Sequence, residues 1–198
     1  MSLEYSDFKL PNDLTLVINI ARKQYGLLIG KFAMQDSRVQ NKRRQFDVSR
    51  QLLSAVTLKQ PALAGWYKRD DGRPLVPCWP LGGLSISHSE QTVALAYSKT
   101  GQIGIDVQWQ LSRHSVTQLA EMYRCHEADF YRYWTIYEAA FKAGCLVTRP
   151  TQLQAYRLMT LAPGWYYWVG EVEPDCTLAL VSDKVKLMQQ FVELLPSF

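Results

Sequence analysis

Three short stretches of this chain hold residue types from which phosphate chemistry is built. In IGIDVQW, residues 103 to 109, Asp106 interrupts an apolar alternation; in FYRYWTIYEAAFKAG, residues 130 to 144, Glu138 is followed one helical turn later by Lys142; in LSISH, residues 84 to 88, serines alternate with apolar residues and lead to His88. Asp106 and Glu138 supply hard anionic oxygens, whereas Lys142, His88 and Arg73 supply positive or hydrogen-bonding groups. Mg²⁺ is held by one or two such carboxylates together with substrate phosphates and water. This inventory suits transfer of a phosphoryl-type group from a phosphate ester or diphosphate, which depends on positioning and charge neutralisation more than on covalent chemistry.

Each group also has a plainer reading. Glu138 and Lys142 read as an i,i+4 pair on a wet helix face, worth about 0.3 to 0.5 kcal/mol. Asp106 reads as the solvated side of an edge strand, and His88 as a structural hydrogen bonder. A serine and a histidine adjacent in one strand do not make a triad by themselves. Lys42, Arg43 and Arg44, with Arg50 two turns further on, form a basic cluster that attracts phosphate on nucleic acid, on an anionic cofactor or near an acidic protein, or that simply opens a solvated helix.

These residues need elements to hold them. At about 100° per residue, Phe130, Trp134, Tyr137 and Phe141 make one stripe, read as core, and Tyr131, Thr135, Glu138 and Lys142 make a neighbouring stripe that faces something else. Nothing between 127 and 143 breaks that helix, and Gly144 supplies its stop. Alternation over 103 to 109 puts Ile103, Ile105, Val107 and Trp109 on one face and Gly104, Asp106 and Gln108 on the other, Gly104 letting something large approach closely. Further strands are predicted over 14–20, 84–88 and 92–98, the last joined to 103–109 by a KTGQ hairpin turn. A helix opens near Ser37 and runs to Leu58, and another opens at Ser115 with Gln118 as a capping box and runs through Met122. DDGRPLVPCWP reads as a loop. Beyond residue 145, strands near 155–161, 165–172 and 177–182 precede VKLMQQFVELL, a closing helix or an extended segment, and none of residues 145–198 receives a chemical role. The order of elements gives α+β rather than alternating parallel α/β, with two halves of similar size, 1–102 and 103–198.

With 198 residues and 47% hydrophobic content, the chain is long enough for one sizeable core or two small ones. Apolar runs such as LTLVINIA fall far short of a membrane span, and MSLEYSDFKL lacks the basic flank and apolar stretch of a secretion signal, so the expectation is a cytoplasmic protein with no membrane partner. Cys78, Cys125, Cys145 and Cys176 show no C-x-x-C spacing, which favours reduced thiols over disulfides or zinc and leaves any metal to oxygen ligands. The net charge of +4 is localised and no reading motif accompanies it, which argues against a nucleic-acid partner.

In ordered blocks, the chain resembles the 4'-phosphopantetheinyl transferases of the Sfp type. DGRP at 71–74 is similar to the family's G-K-P element with Arg73 in place of lysine, LSISHS at 84–89 to N-x-S-H-S, GIDVQ at 104–108 to G-I-D-x-E, and WTIYEAAFKA at 134–143 to W-[ST]-x-K-E-[AS]-x-x-K-A; RRQFDVSRQLL resembles the helix in which a basic residue, here Arg50, precedes a leucine pair. The resemblance implies two similar α+β halves in one chain with coenzyme A in the cleft between them, making a dimer unnecessary. It implies Mg²⁺-dependent transfer of phosphopantetheine to a serine of an apo acyl or peptidyl carrier protein. Asp106 and Glu138 would bind the metal, with Gln108 and Glu127 beside it, and Glu138 would also be the base. Lys142 would stabilise the phosphates or leaving group, Ser87 and His88 would contact the diphosphate and 3'-phosphate, and Arg43, Arg50 and Arg73 would serve the nucleotide end. Gln108 replaces a second acid, Ser85 an asparagine and Tyr137 a lysine. A protein that binds coenzyme A or a carrier with little turnover is the alternative these departures support.

Overall fold

The computed structural model describes residues 14–22, 24–59, 61–70, 72–110, 113–146 and 161–194. The elements follow in the order β1 (Leu14–Ala21), β2 (Tyr25–Phe32), α1 (Arg38–Lys59), β3 (Tyr67–Lys68), β4 (Pro74–Leu75), β5 (Gly83–Ser89), β6 (Thr92–Ser98), β7 (Ile103–Trp109), α2 (Arg113–Tyr123), α3 (Glu127–Ala143), β8 (Tyr166–Glu173), β9 (Cys176–Ser182) and α4 (Val185–Leu194). The chain is α+β. A four-stranded sheet runs β1-β2-β6-β5, a three-stranded sheet runs β7-β9-β8, β3 pairs with β4, and all these pairings are antiparallel. No described helix is long and apolar enough to cross a membrane.

Side chains alternate across each strand, so each sheet feeds two cores. Leu28, Leu84, Val93, Leu95 and Tyr97 of the first sheet meet Val48, Leu52, Leu53 and Val56 of α1. Leu27, Ile29, Ala94 and Ala96 point the other way, onto Ile103, Ile105, Val107, Leu178 and Leu180 of the second sheet, with Leu187, Met188 and Phe191 of α4 in the same core. The outer face of the second sheet, through Ala179 and Val181, receives Ile136, Ala139, Ala140 and Ala143 of α3. The layers are α1, first sheet, second sheet and α3, and both sheets own the central core.

Several expectations change. YGLLIGKF is a strand that the sequence reading passed over: β2 lies between β1 and β6 and is buried on both faces, so it lacks the polar alternation that marks a half-wet strand. KTGQ is not a hairpin turn, because β6 pairs with β2 and β5 while β7 pairs with β9. The hairpin lies one strand earlier, where Glu90 (φ 46) and Gln91 connect β5 to β6. After β6 the backbone is drawn to the second sheet: Ser98 Oγ accepts from the Thr100 and Gly101 amides at 3.3 and 3.2 Å, the Gln102 amide donates to Asp183 Oδ1 at 2.9 Å, and Ser182 Oγ donates to the Gln102 carbonyl at 2.7 Å. Pro74–Leu75, inside the expected loop, pairs with Tyr67–Lys68. α2 begins at Arg113, which leaves Ser115 in its first turn rather than at its cap. VKLMQQFVEL is helical. The strand expected near 155–161 falls, but for Leu161, outside the described residues.

The stripes on α3 are also reassigned. Tyr131, Thr135 and Glu138 are buried, together with Phe130, Ile136, Ala139, Ala140 and Ala143, whereas Trp134, Tyr137 and Phe141 are half-buried. The cause is Gly104 on β7. A Cβ there would overlap the Ala139 carbonyl and stand 2.6 Å from the Ala143 nitrogen, so the helix backbone lies directly on the strand. Only small side chains fit such a seam, and Trp134 and Tyr137 turn instead toward Val116 and Leu119 of α2.

Candidate functional site

Close packing of α3 on β7 brings Asp106, two residues beyond Gly104, under the last turn of the helix. Asp106 is 2% exposed. Lys142 Nζ donates to Asp106 Oδ1 at 2.6 Å and to Ser87 Oγ at 2.9 Å. Ser87 Oγ donates to the same Oδ1 at 2.7 Å, and Gln108 Nε2 donates to Oδ2 at 3.0 Å. These extra hydrogen bonds offset the cost of removing the carboxylate from water. Glu138 is 8% exposed and lies one turn before Lys142 on the same helix face. A solvated i,i+4 surface pair is therefore not what these two residues form.

α3 is held at both ends. At the N-cap, His126 Nδ1 accepts from the Ala128 amide at 3.3 Å, and Gly144 is left-handed (φ 84) with its N–H on the Phe141 carbonyl at 3.0 Å. Gly144 is the stop that the sequence indicates.

A cleft of about 330 Å³ opens beside Lys142, lined also by Arg69, Arg73, Trp79, Gln102 and Ile103. Arg73 lies against Gly144, where an added Cβ would overlap its Nη1, at the helix end whose carbonyls favour a cation. His88 of β5 is exposed, yet its imidazole is held below the ordinary 6.5. Loss of hydration is the main cause, Lys142 comes next, and Lys42 of α1 adds to them against the opposing influences of its own backbone hydrogen bond and Asp106. Gln45 Nε2 donates to the Glu90 carbonyl at 2.8 Å and fixes the first half of α1 beside the β5–β6 turn. Lys42 and Lys142 thus both act on the His88 imidazole, Lys142 also pairs with Asp106, and Arg73 shares the cleft with Lys142.

Other candidates are not gathered here. Arg43 and Arg50 are exposed on α1, Arg50 lying 5.7 Å from the Phe46 ring centroid, and neither lines the cleft. Glu127 occupies the first turn of α3, where an acid complements the helix dipole. It is three turns from Glu138, roughly 16 Å along the axis, too far to share an ion with it. Instead it lines a separate pocket of about 270 Å³ with Arg132 and Glu171. All four cysteines are free; burial, with Glu173 adding to it, pushes the Cys176 thiol up to about 12.

Sequence reasoning missed a ladder of hydroxyls. β7 is the edge of its sheet, and the amides of Ile105, Val107 and Trp109 donate to Ser85, Ser87 and Ser89 Oγ at 3.0, 3.3 and 3.0 Å. The signal was present as serines at period two, but the same spacing also suits a phosphate.

Among the described residues no group of three or more His, Cys, Asp or Glu side chains gathers as a metal cluster. Mg²⁺ needs fewer, because phosphates and water complete its octahedron. Asp106 and Glu138 are buried carboxylates on elements packed against each other, and carboxylate oxygen is the donor type that ion takes, while Gln108 turns its Nε2 to Asp106 Oδ2. Compared with known proteins, the chain matches no family model and no curated sequence.

Proposed function

We propose that the protein transfers 4'-phosphopantetheine from coenzyme A to a serine of an apo carrier protein, releasing adenosine 3',5'-bisphosphate. The observation that carries this reading is the cluster of half-buried Lys142 with buried Asp106 and Ser87, placed beside a cleft that Arg69 and Arg73 also line. The carrier serine oxygen bonds to the phosphorus of the pantetheine phosphate, and the bond from that phosphorus to the bridging oxygen breaks, its electron pair leaving with the bisphosphate. Glu138 takes the serine proton, directly or through water. Lys142 spends two N–H groups on Asp106 and Ser87 and turns the third to the diphosphate, where charge develops on the leaving group. Asp106 and Glu138 would hold Mg²⁺, which when bound neutralises diphosphate charge. Arg73 and His88 would meet the phosphates, and the nucleotide end would extend toward Lys42, Arg43 and Arg50.

In the same reading, the two sheets with their outer helices are the two similar halves of the 4'-phosphopantetheinyl transferase fold. A monomer then suffices, and the cytoplasm, where coenzyme A and apo carriers meet, is its place. Glu138→Gln should abolish transfer while the fold stays intact; near-normal activity would overturn the assignment.

Two observations favour a second reading, a coenzyme A or carrier-binding module with little turnover. Both Asp106 oxygens are already engaged, by Lys142, Ser87 and Gln108, and Tyr137 is half-buried where the resembled family has a lysine. That reading predicts coenzyme A binding by calorimetry with no carrier labelled at any Mg²⁺ concentration.

A further inference from the structure

We infer that Ser87 is a positioning residue, whose hydroxyl holds Asp106 and Lys142 in place across the seam between β5 and β7, and that it is not a ligand for substrate phosphate. The inference rests on the proposed transfer where it concerns catalysis, and on geometry alone where it concerns what the hydroxyl holds.

A serine hydroxyl has one O–H to donate and two lone pairs to accept with. At Ser87 all three are committed. The O–H goes to Asp106 Oδ1 at 2.7 Å, and the oxygen accepts from Lys142 Nζ at 2.9 Å and from the Val107 amide at 3.3 Å. A phosphate oxygen needs a donor, and this donor is spent on a carboxylate that is 2% exposed. Ser87 itself is 4% exposed, whereas its neighbour His88 is exposed.

The neighbouring serines explain how the oxygen comes to stand there. β5 and β7 are edge strands of different sheets. The Ser85 and Ser89 hydroxyls, each at 3.0 Å from an amide of β7, fix the two edges in register and cover amides that a bare sheet edge would leave unpaired. Ser87, midway, adds to this rung the two side chains that the reaction uses. The position of Lys142 and Asp106 thereby depends on how the first sheet meets the second.

The test compares the parent protein with Ser87→Ala and Ser87→Thr, the second variant keeping the hydroxyl. Amide hydrogen exchange, labelling of Lys142 by an amine-acylating reagent, calorimetric titration with coenzyme A, and transfer to an apo carrier are followed on the same preparations. In Ser87→Ala the Val107 amide should exchange about tenfold faster, Ile105 and Trp109 staying within about twofold of the parent, and Lys142 should be labelled faster. Affinity for coenzyme A should stay within about twofold while kcat falls at least about tenfold with little change in KM. Ser87→Thr should restore exchange, labelling and kcat toward the parent.

Two results would overturn the inference: unchanged exchange at Val107 together with unchanged labelling of Lys142, or a loss of about tenfold in coenzyme A affinity with kcat retained, which would make the serine a phosphate ligand. If the parent neither binds coenzyme A nor labels a carrier, the transferase reading alone fails. Val107 exchange and Lys142 labelling then still decide whether the hydroxyl holds the pair.

Discussion

Asp106 is the residue on which the account turns, since its carboxylate is buried and its principal counter-charge is Lys142, 2.6 Å away. Removing one partner of a buried pair leaves the other charge uncompensated. Lys142→Met should therefore lower unfolding free energy in urea by about 3 kcal/mol, the low end of the range for buried pairs because Lys142 is 22% exposed. Adding Asp106→Asn should recover part of that loss, and equal losses in the single and double variants would contradict the pairing. His88 makes a pH prediction. Its imidazole lies below 6.5 in the folded chain, so the unfolded chain takes up that proton first as pH falls. The contribution to stability is whole above the unfolded value and is lost as pH drops through the folded one. His88→Gln should flatten the fall in stability between about pH 7 and pH 5, where histidine titrates; an unchanged slope would remove His88 from the balance. Asp106 was legible in the sequence because aspartate opposes strand propensity and so needs a reason. Ser87 was legible only as a polar group, because a hydroxyl that covers a sheet edge and one that meets a phosphate look alike in one dimension.

At the scale of elements, the seam between β7 and α3 decides what the site can be. Gly104 admits the α3 backbone, and Ala139, Ala140 and Ala143 keep the seam thin. Gly104→Ala should drive a methyl into the Ala139 carbonyl and cost about 3 kcal/mol of stability as the helix moves off the strand. Near-wild-type urea unfolding would mean that the helix does not lie so close. The sequence indicated both the bounds of this helix and the need for close approach at Gly104. It misassigned the faces, because large aromatics mark burial in general without saying which layer buries them. Phe130, Tyr123 and Trp134 do cluster, but on the flank toward α2. The KTGQ turn misled for a related reason. Turn residues show that a chain reverses, whereas the partner of the next strand is set by contacts from Ser182 and Asp183, 80 or so residues away.

For the whole molecule, the shared core has a consequence that element order could not show. Leu27, Ile29, Ala94 and Ala96 of the first sheet are covered by side chains beyond residue 102. Residues 1–102 expressed alone should lack a cooperative unfolding transition, and a sharp transition in that fragment would contradict a core common to both sheets. Serine hydroxyls of β5 on the amides of β7 join the sheets where Lys142 meets Asp106, so the proposed chemistry belongs to the junction rather than to either sheet. The most direct measurement of that chemistry is intact-mass spectrometry of a panel of apo carrier proteins after incubation with the protein, coenzyme A and Mg²⁺. The account predicts a gain of one phosphopantetheine on at least one carrier, lost on chelation of Mg²⁺ and in Glu138→Gln. No gain on any carrier, with coenzyme A bound, would contradict transfer and leave a binding module.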